Sequence, residues 1–240
     1  MTAFFLTERI RADHALYTAK KEGRNRVFLY SETLIAMLEH NPMEIAALLN
    51  KDLSNIQSIL SAIEIKAPFF RDHTEKVERY ASLLAQALNL DDTQKETLRL
   101  SCLLHDIGVV TIKSAILEKP DAFTEEEWKI MREHPSASAK IIEAVIALKY
   151  LAPVIRSHHE WYDGTGYPDK LKGDEIPYLS RIIAVADGYA AMTSEMPWYK
   201  TVSKEKAKGA IKAGARRQFV PEIADAFCRI IEIPLVFILN

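Results

Sequence analysis

The sequence predicts an all-α fold, and three observations carry that expectation. Apolar residues recur every three or four positions, as in Val77, Tyr80, Ala81, Leu84, Ala85 and Leu88, which places them on one face of a helix. Alternating Val, Ile and Thr runs, the mark of half-buried strands, are almost absent. The 10 prolines and 8 glycines are few for 240 residues and cluster between the periodic segments, so they punctuate helices rather than interrupt them.

In chain order, Ala12–Val27 reads as an amphipathic helix with a basic turn, leading into a strand at Val27–Tyr30. Ser31–Lys66 reads as a helical connector with the stripe Ile45, Leu48, Leu49, Leu53, Ile56, Ile59 and Leu60. Helices follow over Asp72–Leu88 and Thr93–Leu104, the second ending near His105. Thr124 with Glu127 three residues on forms a capping box. It opens a helix through Trp128 and Met131 towards His134, where Pro135 stops or resets it. Further helices are expected at Ala137–Leu148, Ala152–Glu160, Pro177–Thr193, Ser203–Ala215 and Pro221–Ile231. Between Glu160 and Pro177 the chain turns glycine-rich, an ordered loop with Trp161 and Tyr167 as anchors. The apolar tail Leu235–Leu239 is too short to span a membrane and is expected to pack on the body.

A content of 48% hydrophobic and 27% charged residues is that of a folded protein rather than a disordered one. No apolar run approaches the roughly 20 residues of a membrane span, and charges interrupt the amino terminus where a signal peptide keeps its apolar core, so a cytoplasmic location is expected. Cys102 and Cys228 lie far apart without metal-binding spacing and read as buried thiols. A net charge of −2 excludes a broad basic surface for nucleic acid. A phosphate-containing ligand would need local cations or metals.

Five of the seven histidines, His73, His105, His134, His158 and His159, fall at or near the ends of expected helices. A single histidine is more often a satisfied polar residue than a ligand. Here, however, a His, an HD pair, a second His, an HH pair and Asp187 follow one another on rigid elements, which is how imidazole and carboxylate ligands are presented to divalent metals. Asp187 lies in the apolar run RIIAVAD, where a carboxylate is costly to bury unless paired or bound to metal. His14 and His40 fit no such pattern and read as surface residues.

The motifs HTEKV, LLHDIG, EEEWKIMREHP, HHEWYDGTGYPDKLKGDEIP and RIIAVADGYAAMTS closely resemble those of the HD-GYP family from about Ala67 to Ala226. The resemblance implies an HD-type helical bundle, assigned here to residues 67–240, with a metal site in its core. It also implies hydrolysis of cyclic di-GMP to pGpG or GMP by metal-activated water. The cofactors it implies are two divalent metals, iron or manganese. Asp106 would bridge them and serve catalysis, His73, His105 and Asp187 would hold one, and His134, His158 and His159 the other. The loop residues Asp163, Gly164, Gly166, Tyr167 and Pro168 would shape the rim or meet a GGDEF domain, in cis or in trans, and a homodimer is compatible with the family. Glu160 or Asp163 would hydrogen-bond around the ligands. Residues 12–27 resemble the closing helix of a GGDEF (diguanylate cyclase) domain, and residues 1–30 are therefore expected to be a short α/β remnant of such a domain, without its catalytic motif.

Three departures from the family pattern bear on activity. Val109 stands where most members have a lysine, Met196 and Tyr199 stand in a usually basic run, and Ala190 replaces a usual aspartate. Phe69 occupies the position of a glutamate associated in some relatives with a third metal, so two metals are expected. Lys200, Arg181 and Tyr167 are the remaining candidates for substrate binding. The alternatives to the phosphodiesterase are a catalytically weak sensor or interaction module in cyclic di-GMP signalling, and an HD phosphohydrolase for another nucleotide.

Overall fold

A computed structural model describes Leu60, Ile63, Glu64 and residues 66–232. The expected remnant at 1–30, most of the connector, His14, His40 and the tail Leu235–Leu239 lie outside the described residues. Among those described there is no β-strand, only two isolated bridges. Nine α-helices are found there: α1 Phe69–Ala87, α2 Asp92–Leu104, α3 Ser114–Leu117, α4 Glu125–Met131, α5 His134–Glu143, α6 Ala152–Arg156, α7 Tyr178–Thr193, α8 Lys204–Ala213 and α9 Pro221–Ile230. A 3-10 turn, Ile107–Thr111, follows α2. None of the nine is long and apolar enough to cross a membrane.

The helix ends follow the local chemistry. Asp91 and Gln94 close a capping box on α2, and Thr124 and Glu127 close the expected one on α4. Three boundaries depart from the sequence reading. Pro135 sits in the first turn of α5, where its missing N–H costs nothing because first-turn donors have no helical acceptor. That helix ends at Glu143 rather than Leu148, although Val145 and Leu148 remain buried in the turns that follow, so the apolar spacing persists without the helix. Likewise α6 stops at Arg156 rather than Glu160, leaving His158 and His159 in a turn.

Helix α1 packs against α7, α2 and α9, while α5 packs on the 3-10 turn and α6. Two apolar clusters result. One joins Val77, Leu84, Ile183, Tyr189, Ile223 and Phe227, and the other joins Phe70, Leu104, Ile107, Leu117, Ile142 and Ile155. His73 lies on α1 between Phe70 of the second cluster and Val77 of the first, so the histidines collect at the seam between them. Lys66 is buried and donates through Nζ to the carbonyls of Val110 (2.7 Å) and Ile112, tying the chain ahead of α1 to the 3-10 turn. Cys102 and Cys228 are both buried free thiols.

Leu84 is fully buried on the helix at the centre of the larger cluster. Leu84→Ala is expected to destabilise the protein by about 2–5 kcal/mol, read as a lowered midpoint in urea denaturation with an unchanged slope.

Candidate metal centre

All seven candidate ligands named from the sequence converge at the seam. His73 comes from the second turn of α1, His105 and Asp106 from the end of α2, His134 from the first residue of α5, His158 and His159 from the turn after α6, and Asp187 from α7. His73, His105, Asp106 and His134 bring their side chains together from three elements. Two compact groups form, His134 with His158 and His159, and His73 with His105 and Asp106.

The carboxylate of Asp106 stands between the groups. Its Oδ1 lies 3.1 Å from His134 Nε2, and its Oδ2 lies 3.3 Å from His105 Nε2 and 3.7 Å from His73 Nε2. Asp187 spans them in the same way, with Oδ1 3.0 Å from His73 Nε2 and Oδ2 3.7 Å from His159 Nδ1. Asp187 therefore approaches both groups, whereas the family resemblance gave it to one.

Three of the rings are oriented by one device. The Nδ1 of His105 meets the carbonyl of Cys102 at 2.7 Å, that of His134 meets Met131 at 2.8 Å, and that of His158 meets Ile155 at 2.6 Å. Each carbonyl belongs to the last turn of a helix, where intrahelical donors have run out. An N–H at Nδ1 in these bonds leaves the Nε2 lone pair of the neutral ring pointing into the cluster. The Nε2 atoms of His134 and His158 then face each other at 3.3 Å, and His105 Nε2 is buried with no hydrogen-bond partner. Converging lone pairs beside two buried carboxylates require positive charge between them. The donor set, five imidazoles and two carboxylates, fits divalent transition metals.

Protonation in the metal-free protein follows the same geometry. Burial pushes His158 well below the usual imidazole value and takes His159 down to about 4, with neighbouring imidazoles adding to the effect. Burial acts in the same sense on His73 and His134, but Asp187 beside the first and Asp106 beside the second outweigh it and raise both. Burial opposes ionisation of Asp106 and Asp187, yet the surrounding imidazoles hold both well below the usual carboxylate range.

Two glycines permit the close approaches that bring the elements together. A Cβ on Gly108 would strike the His134 carbonyl and come within 2.5 Å of Ser138 N, and its N–H donates to Ser138 Oγ at 2.8 Å. The turn after Asp106 thus lies flat on the start of α5. A Cβ on Gly166 would collide with Trp161 N and stand 2.6 Å from the His159 carbonyl, so the loop folds back on the HH pair. Its Tyr167 ring stacks on His159 with centroids 4.9 Å apart, and the Tyr167–Pro168 bond is cis. Burial raises the Tyr167 phenol, so it stays a neutral hydroxyl.

The residues expected around the ligands have other partners. Glu160 is buried, but its carboxylate accepts from the backbone N–H of Asp169 (2.6 Å) and Leu171 (3.1 Å) and so fixes the loop. Asp163 accepts from Thr165 N and Oγ1 and closes its own turn, beside Gly164 at positive φ. Arg181 is held by Asp174 at 2.6 Å and by the Ile176 carbonyl at 2.8 Å, and Lys200 is exposed. Neither of these cations lines the cavity of about 430 Å³ that opens beside the cluster, whereas Tyr167 does. Val109, Met196 and Tyr199 line it too, together with Phe70, Phe123, Trp128 and Trp198. Phe69 packs edge-on against Trp198 at 5.1 Å, and Ala190 is fully buried. Sequence reasoning missed this aromatic wall and the two glycine contacts. The position of Gly108, two residues after the HD pair, was the available signal for one of them.

A family model described as HD domain matches residues 57–223. The chain is 35% identical over 160 residues to the 3'3'-cGAMP-specific phosphodiesterase 3 of Vibrio cholerae, covering 67% of this chain and 35% of that protein. It is 30% identical over 233 residues to a cyclic di-GMP phosphodiesterase of Thermotoga maritima, covering 92% of this chain and 61% of that one. The chain thus spans only part of these relatives' length. Among solved structures, an HDG"Y"P protein from Bdellovibrio bacteriovorus superposes with a TM-score of 0.59 at 17% identity, over 97% of this chain and 82% of that one, a likeness of fold.

Two outcomes test the centre. With metals removed by a chelator, the unfolded chain takes up protons at His158 and His159 from about pH 6.5 downward, while the folded protein resists until about pH 4 at His159. These depressed values contribute stability above pH 6.5 that is lost as pH falls towards 4. The raised His73 and His134 contribute stability below 6.5 that is lost as pH rises through their folded values. The metal-free melting temperature is therefore expected to peak near pH 6.5, and His159→Ala should flatten its acid side. Gly108→Ala is expected to weaken metal binding about 10–100-fold by calorimetry, whereas Gly209→Ala, with open space around its Cα, should leave it unchanged.

Proposed function

We propose that this chain, which belongs to the HD-domain family, is a metal-dependent phosphodiesterase that hydrolyses a cyclic dinucleotide, cyclic di-GMP or its GMP–AMP counterpart. The observation that carries this reading is Asp106, one carboxylate with an oxygen towards each of two histidine groups. Such a site is arranged for a pair of ions rather than one. The names of the relatives in Vibrio cholerae and Thermotoga maritima supply the substrate class.

His73, His105, His134, His158, His159, Asp106 and Asp187 would hold the metals, and iron or manganese suits this imidazole-rich, oxygen-containing set. A bound pair supplies a water acidified to near neutrality and a clamp on the phosphate oxygens. The chain does the rest. Helix-end carbonyls hold three imidazoles in the ligating tautomer, Tyr167 braces His159 from the loop side, and the aromatic cavity walls off solvent and receives the rings of the nucleotide. Two divalent charges exceed the two carboxylate charges, so the loaded centre attracts a phosphodiester anion.

The HD-GYP subfamily fits the DGTGYP loop. A GGDEF remnant at residues 1–30, a connector to residue 66, a GGDEF partner domain, a homodimer and a cytoplasmic location belong to the same reading, and the motif in Ala12–Val27 supports the first of them. A noncatalytic binding module is the second reading, favoured by the lack of any lysine or arginine among the described residues lining the cavity.

Protein loaded anaerobically with Fe(II) or Mn(II) is expected to hydrolyse cyclic di-GMP, and Asp106→Ala to lower the rate at least about a hundredfold. Nucleotide binding in calorimetry without turnover at full metal occupancy would establish the binding module instead.

A further inference from the structure

The cavity opens directly onto the candidate metal centre, with His73, Asp106, His134, His159 and Asp187 in its lining. Away from that cluster its walls are largely apolar, with Phe70, Phe123, Trp128, Met196, Trp198 and Tyr199, and no lysine or arginine is among its described lining residues. The Trp198 and Phe123 rings pack together with centroids 4.6 Å apart and tilted by 31°, so both present aromatic surface to the cavity. The nearby cations lie outside that lining, and Lys200 beside Tyr199 is exposed. Lys76 binds Asp72 at 2.7 Å and the Thr193 carbonyl at 2.8 Å, Arg181 binds Asp174, and the Arg132 guanidinium lies over the Trp128 ring, 5.9 Å from its centroid. The cavity can therefore take the flat face of a base by stacking, but it offers no charged partner to a phosphate away from the metals.

Resting on the function proposed above, we infer that this site cuts a cyclic dinucleotide once and releases the linear dinucleotide. In the first cut the water oxygen bonds to phosphorus, the bond from phosphorus to the 3′ oxygen breaks, and that oxygen takes up a proton. The ring phosphates carry one negative charge each, but the terminal phosphate so formed carries about −1.5 to −2 at pH 7. A second cut would bring the remaining diester to the metals and leave this terminal group against the aromatic wall. Burying such a charge without a partner is strongly unfavourable. The linear product leaves instead.

The test uses the metal-loaded full chain. Chromatography of a cyclic di-GMP reaction is expected to show linear dinucleotide accumulating to completion, and the linear compound offered alone should turn over at least about tenfold more slowly than the cyclic one. Calorimetry should show it binding about tenfold more tightly to Tyr199→Arg, a half-exposed wall position, and this variant should gain mononucleotide as product. Met196→Arg provides a second placement of the cation should the first variant not fold. Mononucleotide appearing from the wild type as fast as the linear compound forms would overturn the inference while leaving the phosphodiesterase in place. Absence of any cyclic dinucleotide turnover would defeat the phosphodiesterase reading. In that case the calorimetric comparison still decides this point, because equal affinity of wild type and a folded arginine variant for the linear dinucleotide refutes the missing-cation argument.

Discussion

Two carboxylates buried among five imidazoles set the terms for the rest of the molecule. Asp106 and Asp187 lie in a protein interior where an isolated charge is strongly disfavoured, and their partners are histidine rings from several elements. Those rings in turn aim lone pairs at one another. The arrangement is coherent only with positive charge in its midst, as protons on His73 and His134 or as metal ions. Everything that fixes the distances around it serves that balance: the seam between two apolar clusters, the helix-end carbonyls that hold three of the rings, and the glycine that lets the turn after Asp106 lie against α5.

The site has two faces with opposite chemistry. On one side are the clustered imidazoles and carboxylates, rigidly mounted on or beside helices. On the other is a wall of aromatic and methionine side chains with no lysine or arginine among its described members. The glycine-rich loop joins them, its Gly166 packed on the backbone of His159 and its Tyr167 stacked on the same ring. Glu160 stabilises that loop by accepting from two of its backbone N–H groups. A loop anchored at both its backbone and its ring behaves as part of the scaffold rather than as a mobile cover.

Much of this was legible in the sequence, and the reasons are local. Helices α1 and α9 carry strong apolar periodicity and α7 is a mostly apolar run, so each could be placed to within a few residues. The seven side chains that converge could be picked out because they follow one another at helix ends and in an apolar run, a pattern that a single satisfied histidine does not produce. The end of α5 was misplaced because Val145 and Leu148 stay buried in turns, where burial and helical spacing give the same pattern. Lys200 follows a stretch that is usually basic in the family and Arg181 is the other nearby cation, but charge in a sequence does not say which neighbour a side chain meets: Arg181 is held by Asp174 and Lys200 is exposed. The aromatic wall was invisible because Phe70, Phe123, Trp128 and Trp198 come from separate segments whose meeting depends on tertiary packing.

The hydrogen bonds from His105, His134 and His158 to helix-end carbonyls have an evolutionary consequence. Each of these imidazoles also satisfies an acceptor at the end of a helix, so selection for a stable fold would retain it even in a descendant that no longer bound metal. Asp106 and Asp187 have no such second use, since their oxygens face only the histidine cluster. In comparing related chains, the two aspartates are thus the more discriminating record of whether a metal centre is still maintained, and the histidines the less informative one.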